Sequence, residues 1–146
     1  NDLWAKKNFE MFRKLSLTVK EGRVLVTGSV PTPDMRVEAI RLVWQADGVK
    51  QVLNEIAVDE GGGFTGMVSD GVTTSKLKTK LLLDKYVESI NYNVDTVAGN
   101  VYLMGVAQDQ KELDRVIAYA RNIDGVNNVV SYVRLRFEKP PGMVTN

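Results

Sequence analysis

Apolar positions along the chain switch between two periods, and they do so twice. Leu17, Val19, Val24 and Val26 alternate on either side of Glu21-Gly22, which predicts a hairpin with one apolar face. Ala39, Ile40 and Val43 then recur at helical spacing behind Thr32-Pro33, with Thr32 suited to cap a helix and Pro33 to its first position. The run from Val52 to Val58 reads as a closing strand. Further on, Tyr92 and Val94, Val101 and Leu103, the helical set Val116, Ile117 and Ala120, and the run from Val129 to Leu135 repeat the plan. A helix is expected before each hairpin. The first spans 2–15, with Trp4, Met11 and Leu15 on one face and Phe12 beside it; the second spans 73–85, with Leu77, Leu81 and Leu82 as its apolar face.

The two passages are in register. Asp47-Gly48-Val49 and Asp124-Gly125-Val126 lie 77 residues apart, and at that offset Gly22, Val24, Gly28 and Ile40 meet Gly99, Val101, Gly105 and Ile117 without a gap. This is the mark of a duplicated domain. Gly48 and Gly125 are placed at helix C-caps, where a left-handed backbone favours glycine. The second hairpin reads as having the longer turn, from Asp95 to Gly99. The expected fold class is α+β: two tandem α/β sandwiches of order helix-strand-strand-helix-strand, each a three-stranded mixed sheet covered by two helices. The expected boundaries are 1–58 for the first domain, 59–71 for a linker containing Gly61-Gly62-Gly63, Gly66 and Gly71, and 72–137 for the second domain. Residues 138–146, with Pro140-Pro141-Gly142, are expected to form a disordered tail.

Two departures from simple patterning point to contact surfaces. In the second copy, Val101, Leu103, Val129, Val133 and Leu135 should face the helices, yet the alternate face also carries Tyr102, Met104, Val106, Val130 and Tyr132. A one-sided sheet would be polar there, so cover by the other domain, the linker or a partner is expected, ahead of a ligand groove. In the first copy, Leu42 and Trp44 align with Tyr119 and Arg121. Arginine is a poor core residue, so Trp44 is placed off the core face. A partner or interdomain contact and a tryptophan lying flat on its own domain both fit.

Composition narrows the chemistry. The 146 residues hold neither cysteine nor histidine, which excludes disulfides, zinc sites built on those ligands, cysteine nucleophiles and histidine general bases. Asp47 and Asp124 serve turns, and no nucleophile–base pair can be named, so no catalytic residue, metal or cofactor is expected. A net charge of +1 gives no ground for nucleic-acid binding, and no run is long enough to span a bilayer. The chain starts at Asn1 with neither an initiator methionine nor a signal-peptide pattern, and reads as a mature or trimmed product. The most polarised stretch is the second copy's first helix, where Lys76, Lys78, Lys80 and Lys85 surround the leucines. Such a helix suits an anionic membrane surface, although a core helix with a solvated lysine face is the commoner case.

Gly22-Arg23-Val24-Leu25-Val26-Thr27-Gly28 with Asp47-Gly48-Val49 and Val52-Leu53-Asn54 resembles the BON domain; Gly99-Asn100-Val101-Tyr102-Leu103-Met104-Gly105 with Asp124-Gly125-Val126 resembles a second copy. The pair is similar to the dual-BON periplasmic lipoproteins of Gram-negative bacteria. That resemblance implies a non-enzymatic envelope protein supporting outer-membrane integrity, held there by a lipid anchor outside this sequence. It implies contact between anionic phospholipid and the first helix of the second domain, aided by an aromatic near that helix's start. Val72 takes that place here, which points to electrostatic contact through Lys76, Lys78, Lys80 and Lys85 rather than deep insertion. The alternative is a periplasmic module for protein–protein interaction, assembly or self-association, using surfaces such as Leu42, Trp44, Tyr102, Met104 and Tyr132.

Overall fold

In the computed structural model, which describes residues 14–59 and 67–137, the chain forms two compact units divided between residues 65 and 66. In the first unit, β1 (Leu15–Lys20) and β2 (Arg23–Val30) pair antiparallel, with Leu17 opposite Val26 and Val19 opposite Val24. Their two-residue turn, Glu21-Gly22, has φ of 53° and 80°, the sense whose twist matches that of a strand pair. Helix α1 (Pro33–Trp44) follows, opened by Thr32, whose hydroxyl accepts from the Met35 amide at 3.2 Å. β3 (Gln51–Val58) then returns parallel to β2, giving the order β1-β2-β3.

The second unit opens with α2 (Met67–Leu83). A single 3-10 turn, Ser89–Asn91, leads into β4 (Tyr92–Val97), β5 (Asn100–Ala107), α3 (Gln110–Arg121) and β6 (Asn128–Leu135), with sheet order β4-β5-β6. Each described strand and helix of the first unit recurs 77 residues later with the same bounds. The two sheets are mixed and three-stranded, as the repeat implied. Gly28 and Gly105 explain one invariance: with φ of 121° and 140°, a β-carbon there would lie 2.3 Å from the Lys14 carbonyl oxygen and 2.0 Å from that of Asn91.

The core of the second unit forms where α2 and α3 lie on the sheet. Leu77, Leu81, Val101, Leu103, Val116 and Ala120 are buried together, with Val129, Val133 and Leu135 packed against them. In the first unit Val24, Val26, Ala39, Val43 and Ile56 are buried with Ile40 and Val52 alongside; among the described residues α1 is the only helix on this sheet. The opposite faces of the central strands are also closed: Leu25 and Thr27, and their counterparts Tyr102 and Met104, are buried.

Several local expectations are corrected. The two hairpin turns have equal length, because Asp95, Thr96 and Val97 continue β4 opposite Tyr102, Val101 and Asn100, leaving Ala98-Gly99 as the turn. Leu15 opens β1 rather than closing a helix. Helix α2 starts at Met67, so part of the expected linker, Gly71 included, is helical. Asp70 in its first turn is tied to the β4–β5 turn, and that anchorage offsets the roughly 1 kcal/mol by which glycine weakens a helix. The helix ends at Leu83, short of Lys85, as the Asp84 amide donates to the Leu81 carbonyl and its carboxylate accepts from the Tyr86 amide. Leu82 is exposed rather than part of the apolar face. Gln45 and Asn122 cap α1 and α3, so Gly48 and Gly125 act one turn later, at φ of 83° and 90°, in the turns feeding β3 and β6. Residues 2–13 of the helix expected over 2–15, the Gly61-Gly62-Gly63 segment and the tail fall outside the described residues.

Candidate functional site

Helix α2 carries the residues that sequence patterning placed at a membrane surface, except Lys85, which follows its end. Its inner side is fixed by Leu77 and Leu81 in the core and by buried Thr73. Its first turn is held by the Asp70 carboxylate, which accepts from the backbone amides of Ala98 at 2.8 Å and Gly99 at 3.0 Å. The Thr74 and Thr96 hydroxyls share a hydrogen bond of 2.8 Å, joining the helix to β4.

The other end is fixed by Asp84. Its buried carboxylate accepts from the Arg115 guanidinium, from the Tyr119 hydroxyl at 2.6 Å and from the Tyr86 amide at 2.8 Å. The Tyr119 and Arg115 bonds hold this carboxyl at about 2, below the ordinary carboxylate value, against the opposing effect of burial. Lys85 and Arg115 each place a cationic group 5.2 Å from the centre of the Tyr86 ring.

These anchors decide what α2 shows to solvent. Both of its flanking acids, Asp70 and Asp84, turn inward and are engaged, whereas Lys76, Lys78, Lys80 and Lys85 are exposed. Lys76 and Lys80 lie one turn apart on one flank; Lys78 lies on the other. Between them runs the outward line of Val72, Thr79 and Leu83, spaced seven and four residues apart. Val72 is 48% exposed and borders an open depression of about 540 Å³ with Gly71, Ser75, Lys76 and Thr79.

The expected contact residues are divided between the two units. Leu42 is half-buried and borders a groove of about 350 Å³ with Leu17, Val19, Val43 and Val49 in the first unit. Trp44, the last residue of α1, is 50% exposed, off the core face. Tyr102 and Met104 are buried on the outer face of the second sheet, where Met104 registers with half-buried Tyr132. Sequence reading missed Asp70, Asp84, Arg115 and Tyr119, whose roles depend on partners about 30 positions away. It also missed Tyr86 and Ile90, which fall beyond the periodic run. Among the described residues no group of three or more acidic side chains could hold a metal ion, and no helix is long and apolar enough to cross a membrane.

The profile of the BON domain family matches residues 7–60 and again residues 69–136. The chain is a tandem BON-domain protein. Its BON repeats account for the 77-residue periodicity and for the glycines at equivalent places in both sheets. It is similar to an Anaplasma centrale protein described as lying in the gshII 5′ region, with 44% identity over 88% of this chain and 86% of that one. It is 32% identical to osmotically-inducible protein Y of Escherichia coli over 86% of this chain, and 31% identical to the outer membrane lipoprotein DolP of Haemophilus influenzae over 75% of it. The chain spans 64% and 56% of the length of those two relatives.

Proposed function

We propose that this tandem BON protein is a non-enzymatic component of the bacterial cell envelope that meets anionic phospholipid through α2 of its second domain. The observation carrying this reading is the charge segregation along α2: three exposed lysines on the helix and Lys85 just beyond its end, with both neighbouring acids engaged by the fold. Each lysine near an anionic surface contributes on the order of 1 kcal/mol, enough in combination for reversible binding but not for permanent anchorage. A periplasmic location, tethered to the outer membrane by a lipid anchor carried outside this sequence, agrees with the DolP relative's being an outer membrane lipoprotein. In that setting the protein would support outer-membrane integrity.

The test is binding to vesicles with and without anionic lipid across a range of salt, comparing wild type with Lys76→Glu/Lys80→Glu. Expected are binding to anionic vesicles only, decline with ionic strength and a loss of roughly a hundredfold or more in the variant, since both charges are reversed. Undiminished binding of the folded variant rules out this site. No binding of the wild type to any vesicle favours an envelope protein-interaction module instead.

A further inference from the structure

The stretch just beyond the lysine-rich part of α2 has an arrangement that a core helix does not need. Leu81, Asp84 and Val87 point inward and are buried, while Leu82, Leu83, Tyr86 and Ile90 are 72%, 78%, 64% and 85% exposed. Four large apolar side chains therefore stand out from the surface within nine residues, where a solvated helix end would be polar. They are not on a loose connector. The Asp84 carboxylate ties this stretch to Arg115 and Tyr119 of α3, its bond to the Tyr86 amide closes the turn, and the 3-10 turn Ser89–Asn91 leads directly into β4. The Tyr86 ring is further in contact with the cations of both Lys85 and Arg115.

The surroundings indicate the partner. Lys78, Lys80, Lys85, Lys111 and Arg115 are exposed around this stretch. Asp84 is buried in its network, whereas Glu88, Asp109 and Asp114 are exposed; Asp109 and Asp114 border Tyr86 on the α3 side together with Lys111 and Arg115, so the cationic excess lies on the α2 side, at Lys78, Lys80 and Lys85. Protruding leucine and isoleucine, an exposed tyrosine and the lysines of the α2 side match the boundary between anionic headgroups and acyl chains.

We propose that Leu83, Tyr86 and Ile90, with Leu82 beside them, are an insertion edge that enters this boundary while the lysines remain among the headgroups. The edge lies at the α2 C-terminus and the turn after it, not at Val72, and Asp84 and Arg115 are its positioning residues. The inference rests on the lipid-surface reading and adds a salt-resistant apolar component to it.

Because the chain has no cysteine, Leu83→Cys offers a single labelling point for a polarity-sensitive dye, with Asn122→Cys at the exposed C-cap of α3 as the control. With phosphatidylglycerol vesicles, a blue shift is expected at position 83 and none at 122. Leu83→Ser/Ile90→Ser removes two exposed side chains and so should keep the thermal stability of the wild type. It should bind anionic vesicles roughly tenfold or more weakly and lose the fraction that survives high salt, since apolar burial is not screened. Equal, salt-resistant binding by this variant, or no shift at position 83 while the protein is bound, overturns the insertion edge and leaves the electrostatic reading standing. Absence of wild-type binding overturns both.

Discussion

Asp84 and Arg115 lie 31 positions apart and meet where α2 ends against α3, with the Tyr119 hydroxyl completing the coordination of the same carboxylate. This contact replaces a conventional helix cap: the acid that stops α2 also fixes it to its neighbour. Because its folded pKa is about 2, below the ordinary 3.8, Asp84 contributes stability above about pH 4 that is lost as the pH falls toward 2. Asp84→Asn should therefore lower the melting temperature of the second domain at neutral pH. The difference from wild type should shrink as both are acidified, which thermal melts followed by circular dichroism across the acid range will read.

Asp70 performs the matching task at the start of α2. Removing its carboxylate leaves the Ala98 and Gly99 amides without their side-chain acceptor, at a turn where Ala98 already holds φ of 50°. Asp70→Ala should cost about 1–2 kcal/mol and speed hydrogen exchange at those two amides. Ala98→Gly should act in the opposite direction, by up to about 1 kcal/mol, because glycine holds that conformation without a side-chain penalty. A fall in stability on Ala98→Gly would show that the turn is not strained there.

The two repeat glycines separate backbone conformation from crowding. Gly125 has φ of 90° with open space around the place of a β-carbon, whereas Gly105 has φ of 140° and the Asn91 carbonyl oxygen 2.0 Å from that place. Gly125→Ala should cost about 1 kcal/mol. Gly105→Ala must also push β4 from β5 and should cost clearly more, on the order of 3 kcal/mol or above. Denaturant midpoints for the two variants will rank them.

The duplication made most of the fold legible. A period of two, a period of 3.6 and a fixed 77-residue offset place β1, β2, α1 and β3 and their copies, and the core residues Ala39, Val43, Val116 and Ala120 follow directly. Element ends were less legible because they are set by distant partners. Nothing near Met67 announces a helix start; the reason lies at Ala98 and Gly99. The lysines of α2 could be read as exposed, since leucines at 77 and 81 mark the inner side. Tyr86 and Ile90 could not, because beyond Leu83 the chain leaves the helix and its periodicity no longer says which way a side chain turns.

Met104 tests the closed outer face of the second sheet. It lies on the central strand, registers with Asn93 on β4 and Tyr132 on β6, and is buried although it faces away from the α2–α3 core. An aspartate there would bury a carboxylate in place of a thioether, at a cost of at least about 3 kcal/mol. Tyr132→Asp, at a half-buried edge-strand position, should cost less. The chain provides separate probes for the measurement: all five tyrosines lie in the second unit, whereas both tryptophans, at positions 4 and 44, precede it in the sequence. The tyrosine-monitored transition of Met104→Asp should fall well below that of Tyr132→Asp, and tryptophan emission will read whether the loss stays local. Wild-type stability in Met104→Asp would show that this face opens to water in solution.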